Sequence, residues 1–226
     1  MIYSISDLHL DYTKKKTMEL FGSSWSNYEE RSFLNWENII QNEDLVLVPG
    51  DITWAMNEKE AAVDLNRIDR LPGKKILLKG DHDYWWNSLK KLNELNLSTI
   101  SFLQNNSFEY SGYSIAGTRG WIDKSHKDFI DKDVKIFERE LLRLELSLQS
   151  TKGGKIICML HYPPFSEERI PNEFGKIMEK YNVQKCIYGH LHGDGLQNVQ
   201  EGTYNGIEYV CTSSDYLEFY PIKVGE

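Results

Sequence analysis

Five apolar runs in this chain end in residues that bind metals. Ile76-Leu77-Leu78 passes through Lys79 and Gly80 into Asp81-His82-Asp83, which delivers carboxylate, imidazole and carboxylate in succession. Ile2 to Ser6 leads into Asp7-Leu8-His9, Leu45 to Pro49 into Gly50-Asp51, Ile156 to Leu160 into His161, and Cys186 to Tyr188 into Gly189-His190-Leu191-His192. In open α/β sheets the carboxyl ends of strands are where ligands bind, because the loops there converge on one edge. A chain built this way is expected to gather its strand ends around one metal-dependent site.

The stretches between the runs read as helices in the first half. Ser26-Asn27-Tyr28-Glu29 has the spacing of a capping box and predicts a helix to about Ile40, with Phe21, Trp25 and Trp36 packing that segment down. Asn57-x-x-Glu60 predicts a second helix that stops at Leu71-Pro72-Gly73, so that Leu45 to Pro49 and Lys75 to Lys79 form neighbouring parallel strands. A helix from Ser88 to about Asn96 and strands over Thr99 to Leu103 and Tyr113 to Ala116 follow. Val134, Phe137, Leu141, Leu144 and Leu148 recur at spacings of three and four, as on one core-facing helix over Asp131 to Ser150. After the strand ending in His161 come a short helix over Glu173 to Lys180, the strand ending at Tyr188, and hairpin-like segments through Tyr209 to Thr212 and Leu217 to Ile222. At 226 residues, with no linker or repeat, the chain reads as a single domain over 1–226.

Asp7 with His9, and His190 with His192, stand at i and i+2, so in extended backbone both members of a pair would project the same way. With Asp51, Asp81 and His161 they make a mixed set of oxygen and nitrogen donors. Such a set suits Mn²⁺ first, with Fe or Zn²⁺ as alternatives, rather than an all-oxygen Mg²⁺ or Ca²⁺ cage. Seven ligands exceed the need of one tetrahedral ion. Two ions about 3.5–4 Å apart, sharing a carboxylate, would use them and would suit a phosphoryl displacement.

Asp7-x-His9, Gly50-Asp51, Gly80-Asp81-His82-Asp83, His161 and Gly189-His190-x-His192, in this order and after strands, resemble the calcineurin-like metallophosphoesterase superfamily over nearly the whole chain. The resemblance implies an α/β fold, a four-layer α/β/β/α sandwich of two mixed sheets, and a compact bacterial-type branch. It further implies two divalent or trivalent metal ions. Asp7, His9, Asp51 and His192 would hold the first, and Asp51, Asp81, His161 and His190 the second, with Asp51 as the bridge. The implied function is hydrolysis of small phosphomonoesters or phosphodiesters, nucleotide-like ones among them, by a hydroxide bridging the metals. His82 would contact the phosphate or leaving oxygen as general acid, with Asp83 orienting its ring. One position departs from the family pattern, G-N-H-[DE]: residue 81 is aspartate. The carboxylate can still bind metal, yet it replaces an amide donor with an acceptor and adds negative charge beside the phosphate. The alternative is therefore a catalytically weakened metal-binding scaffold of the same fold.

Residues around these motifs carry two readings each. Arg119, in Gly117-Thr118-Arg119-Gly120-Trp121, could clamp a second phosphate or a diester, or could form a structural ion pair. Trp54, Tyr84, Trp85, Trp86, Trp121 and Tyr162 either form an aromatic rim or wedge the loops in place. Lys14-Lys15-Lys16 reads as solvated loop, and His126 as a surface or hydrogen-bonded histidine outside the set. A net charge of −8 argues against a long nucleic acid as partner, since no basic track is present, and two bound divalent cations would halve it. The apolar runs are too short to span a membrane. Cys158, Cys186 and Cys211, an odd number inside apolar runs, read as buried free thiols, and with no export signal visible a cytoplasmic location is expected.

Overall fold

Side chains that alternate along each strand sort the chain into three apolar layers. In the computed structural model of the protein, which describes residues 1–16 and 18–226, the strand Leu45–Val48 (β2, after β1 at Ile2–Ser4) turns Leu45 and Leu47 to one side and Val46 and Val48 to the other. Lys155–Leu160 does the same in the second half: Ile157 and Met159 face one core, and Ile156, Cys158 and Leu160 another. Both faces of these strands are covered, which is why they read as continuous apolar runs.

Two sheets result. The first has the order β11-β1-β2-β3-β4, with β3 at Lys74–Leu78, β4 at Ile100–Leu103 and β11 at Ile222–Gly225. Its members are parallel except β11, which runs antiparallel beside β1. The second sheet has the order β5-β6-β7-β8-β10-β9, formed by Phe108–Tyr110 (β5), Tyr113–Thr118 (β6), Lys155–Leu160 (β7), Lys185–Tyr188 (β8), Gly202–Tyr204 (β9) and Ile207–Cys211 (β10). Here β6, β7, β8 and β10 are parallel and the two edge strands antiparallel. Ile2, Leu47, Ile76, Ile157, Met159 and Ile187 fill the space between the sheets. Helices α1 (Tyr28–Ile39), α2 (Glu58–Asp69) and α3 (Leu89–Asn93) cover the outer face of the first sheet, through Trp36, Leu65, Ile68 and Leu92. Helices α4 (Asp131–Gln149) and α5 (Glu173–Lys180) cover the second, through Phe137, Leu144, Leu148, Phe174 and Met178. This is the expected four-layer α/β/β/α sandwich of two mixed sheets.

Local signals held where no tertiary partner competed for them. The Asn57 side chain caps α2 by accepting from Glu60 N at 3.1 Å, as its spacing predicts. The capping box at Ser26 does not form: Asn27, with φ of 50°, is the residue before α1 and its side chain makes no cap. Glu29, which should have reached back, instead accepts from Asp11 N at 2.9 Å and pairs with Arg67 at 2.6 Å, so a tertiary ion pair displaces the local motif. Phe21 is exposed rather than packed, while Trp25 and Trp36 are buried. The predicted hairpin at the chain's end is also replaced. β10 takes β9 as its antiparallel partner, and the segment after it turns through Asp215 to Phe219 before β11 joins the other sheet. No helix among the described residues is long and apolar enough to cross a membrane.

On α4 the apolar face is tested directly by substitution. Phe137 is fully buried against Phe174, ring centroids 5.0 Å apart, so Phe137→Ala should cost about 3–5 kcal/mol in urea unfolding. Leu142→Ala, on the exposed side of the same helix, should change stability by less than about 0.5 kcal/mol.

Candidate metal centre

The exits of β1 and β2 stay paired beyond the strands. Asp7 N donates to Gly50 O at 3.0 Å and His9 N to Asp51 O at 2.9 Å, so the two loops climb together above the sheet edge. Across the gap between the sheets, His190 N donates to both carboxylate oxygens of Asp7 at 3.1 Å. Side chains converge through left-handed turns, not through the extended backbone expected for the i, i+2 pairs: φ is 60° at Asp7, 43° at His9, 53° at Asp51 and 73° at His190. Such conformations are costly for residues with a Cβ and persist where surrounding structure over-determines them, as these loop-to-loop bonds do. Two glycines make room for the carboxylates. A Cβ on Gly80 would lie 2.0 Å from Asp51 Oδ1, and one on Gly189 would lie 2.3 Å from Asp7 Oδ2.

All seven predicted ligands come together, in two groups around Asp51. In one, His192 Nε2 lies 3.2 Å from Asp7 Oδ1 and 3.3 Å from His9 Nε2. In the other, Asp81 Oδ1 lies 2.7 Å from His161 Nε2 and 3.1 Å from His190 Nδ1. Asp51 Oδ2 stands between, 3.5 Å from His9 Nε2 and 3.6 Å from His161 Nε2. The far ring nitrogens show how these side chains would meet an ion. His161 Nδ1 is 2.9 Å from Pro49 O and His192 Nδ1 is 2.9 Å from Asp215 Oδ1, partners that take the N–H and leave the Nε2 lone pair pointing inward. His9 differs: its Nδ1 is buried without a hydrogen-bond partner among the described residues, and the ring is held by stacking on Trp54, centroids 4.8 Å apart. Carboxylates flanked by inward-facing imidazoles are the donor chemistry a pair of metal ions requires, and the residues present fit it.

The electrostatics agree. Burial opposes ionisation of Asp7, yet His192, His161 and His9 hold its carboxyl well below the usual range. Burial likewise opposes charge on His161 and His192, but Asp51, Asp81 and Asp7 around the first and Asp7 and Asp215 around the second push both up to about 10. His9, where desolvation prevails, falls to about 4. The carboxylates thus create a field that stabilises positive charge at the ring nitrogens, whether proton or metal.

One expected role changes. Asp83 does not touch the His82 ring. Its carboxylate is completely buried and accepts from the backbone N–H of Gly80, Asp51 and Ile52 at 2.8, 3.0 and 3.0 Å, from Thr53 N at 3.3 Å and from the Trp85 indole at 3.0 Å. Four backbone donors in two loops leave it no capacity for the imidazole, and it acts as a brace. The His82 ring is held by Asp51 instead, Nδ1 to Oδ2 at 2.8 Å. Although burial depresses that imidazole, the hydrogen bond to Asp51 and the charges of Asp51 and Asp81 keep it above its ordinary value. Arg119 lies 3.7 Å from Glu140 and 4.3 Å above the Trp121 ring. Of the aromatic residues, Tyr162 tilts against His190 at 4.1 Å, Trp85 and Trp86 pack into the core beside Phe102, and Tyr84 alone of the six is largely exposed. Lys14 to Lys16 are exposed, and His126 takes a hydrogen bond from Asp128 N at 3.2 Å.

Asp215 is the candidate site residue that sequence reasoning missed, 2.9 Å from His192 Nδ1. It follows β10 after Thr212-Ser213-Ser214, so it too lies beyond a strand end, but without the adjacent glycine or histidine that marked the others. Removing it should unlock the His192 ring. Asp215→Ala is expected to weaken Mn²⁺ binding by about 10–100-fold in titration calorimetry, and unchanged affinity would show that the ring needs no such support. Gly80→Ala, which drives a methyl into the Asp51 carboxylate, should lower affinity for both ions, since Asp51 borders both groups.

Comparison with known proteins bears on the fold and the family. An uncharacterized protein of Methanocaldococcus jannaschii is 22% identical over 174 residues, spanning 69% of this chain and 94% of that protein. A protein of unknown function from Aquifex aeolicus has the same fold, with a TM-score of 0.53 at 22% identity over 98% of this chain and 94% of its own. Phosphopantetheinyl hydrolase from Mycobacterium tuberculosis gives 0.55 at 13% identity, over 94% and 88%. The profile of the calcineurin-like phosphoesterases matches residues 1–194, a span that includes all seven predicted ligand residues, and the chain belongs to that family.

Proposed function

We propose that this protein is a dinuclear-metal-dependent phosphoesterase acting on small phosphomonoesters or phosphodiesters. The observation that carries this is the convergence of carboxylate and imidazole groups from five strand ends, in two sheets, into two groups with Asp51 between them, 3.5 Å from His9 in one and 3.6 Å from His161 in the other. Asp7, His9, Asp51 and His192 would hold one ion, and Asp51, Asp81, His161 and His190 the other, with Mn²⁺ the metal that suits these donors best and Fe or Zn²⁺ the alternatives. When bound, the two ions supply activation of the attacking water and neutralisation of charge on the phosphate oxygens.

The chain's own groups complete the chemistry. With Nδ1 of His82 committed to Asp51, Nε2 is the nitrogen left to give a proton to the leaving oxygen, and the raised proton affinity of the ring suits that task. Asp83 keeps the Asp51 and Asp81 loops in register. Beside His190 and Tyr162 a cavity of about 600 Å³, lined by Ile122, Phe165, Leu191 and Arg169 among others, has room for the organic part of a small ester, nucleotide-like ones included. Residues 1–226 would act as one domain, and three buried free thiols suit a reducing, cytoplasmic setting.

Asp81 bears on turnover. Its Oδ1 faces the two histidines, while Oδ2, where asparagine would carry its amide, lies 3.4 Å from His82 Nδ1. The second oxygen therefore competes for the proton-carrying ring. An aryl phosphomonoester and an aryl phosphodiester assayed with Mn²⁺ test the proposal. Release of the aryl alcohol that a chelator abolishes is expected. His82→Ala should lower kcat by about 10²–10⁴, and Asp81→Asn should keep the metals but change kcat. Metal binding with no hydrolysis by either form would instead mark the protein as a metal-binding scaffold.

A further inference from the structure

A second cavity, of about 340 Å³, opens beyond the ends of β3, β4 and β6, beside the loop that carries Asp81. Lys79, Arg119 and Arg143 line it together with Glu140, Gln104 and Thr118. Its charge is not balanced. Glu140 is fully buried and is the one carboxylate in the lining, bonded to Arg143 at 2.8 Å and to the Thr118 hydroxyl at 2.6 Å, with Arg119 at 3.7 Å and Arg139 at 3.6 Å. One carboxylate therefore serves three guanidinium groups. Lys79 makes no hydrogen bond or ion pair through its ammonium with any described residue, and the buried Nε of Arg119 has no acceptor among them. Donors left open in a partly buried cavity are costly unless an anion completes them.

The cavity is joined to the metal centre by short links. Lys79 precedes Gly80-Asp81 in the chain. The carbonyl of Arg119 accepts from the N–H groups of His161 and Tyr162, both at 3.0 Å, so the residue that lines the cavity also anchors the loop carrying a ligand. From the guanidinium, Trp121 at 4.3 Å, Tyr162 at 5.2 Å from Trp121 and His190 at 4.1 Å from Tyr162 form a continuous run of ring contacts to the second group of predicted ligands. Planar guanidinium groups beside a lysine are the donor set that recognises phosphate oxygens.

We infer that this cavity binds a second phosphoryl group of the substrate while the first lies at the metal centre, so that the preferred substrates are phosphate esters bearing two phosphates. The inference rests on the phosphoesterase reading for the first phosphate, and adds the class of substrate. Three pairs of compounds that differ by one phosphate provide the test: AMP with ADP, AMP with adenosine 3′,5′-bisphosphate, and fructose 6-phosphate with fructose 1,6-bisphosphate. Phosphate release by the Mn²⁺-loaded protein gives kcat/KM for each, and the ratio within a pair cancels general losses of activity. At least one pair should favour the doubly phosphorylated member by about tenfold or more, the scale of a charge-assisted contact. In Lys79→Met, and more so in Lys79→Met with Arg143→Met, that ratio should fall toward one.

Calorimetric affinities for the same pairs read the preference without turnover. Silence in every hydrolysis assay would therefore defeat the hydrolase reading, while the affinities still decide the cavity. Equal affinity within every pair overturns the inference, as does a preference that survives the double substitution. Binding of inorganic phosphate that the double substitution removes, with no preference within any pair, would make the cavity a free-phosphate site and overturn it too.

Discussion

The buried carboxylate of Asp83 holds the centre of this protein together. It is fully enclosed, and its two oxygens are occupied by backbone N–H groups of Gly80, Asp51, Ile52 and Thr53 and by the Trp85 indole. Burying an ion is expensive without such partners, and the donors in turn would be unsatisfied without the ion. Neither loop can shift without breaking several bonds at once. Asp51 and Asp81 are thereby set at a fixed separation, and the Coulomb field of the site follows from that placement. Desolvation and the charge of Asp51 push the Asp83 carboxyl up to about 6, so the brace is itself under electrostatic load from the group it positions.

Strain and space are managed around the same point. Asp7, His9, Asp51 and His190 adopt left-handed backbone, while Gly80 and Gly189 leave out the Cβ atoms that would collide with Asp51 and Asp7. The residues with side chains are the ones whose side chains reach into the centre. Bonds between loops, Asp7 to Gly50, His9 to Asp51 and Gly189 to His161, offset the cost. Beyond these lie supports that bear on chemistry through a ligand: Pro49 behind His161, Asp215 behind His192, Trp54 stacked on His9 and Tyr162 against His190. Rings held from behind have little freedom left to lose on binding, which is how preorganisation lowers its cost.

The architecture was legible because its signals are local. Val46 and Val48 alternate with Leu45 and Leu47, and the alternation alone divides each strand between two cores. Asn57 capped its helix as read. Misreadings arose where distant groups intervened: Glu29 left its capping position for Asp11 and Arg67, and the chain's last strand crossed to the first sheet instead of closing a hairpin. Within the site, the identities of the seven converging residues were visible from strand-end placement. The partner of the His82 ring was not, because Asp83, its neighbour in sequence, is drawn to backbone donors in another loop.

By itself the sequence determined the kinds of side chains that converge, their order, and the strands that would carry them, since side-chain chemistry and the apolar runs belong to each segment alone. Tertiary structure decided which atoms meet. His190 and Asp7 are bonded across 183 positions, and His192 is oriented by Asp215 from a strand-exit loop with no distinguishing motif. The surplus of positive charge around Glu140 exists only because the exits of β3 and β6 and the flank of α4 meet at one cavity, each contributing a residue unremarkable in its own segment. Convergence of this kind depends on sheet order and loop geometry, which no local pattern encodes.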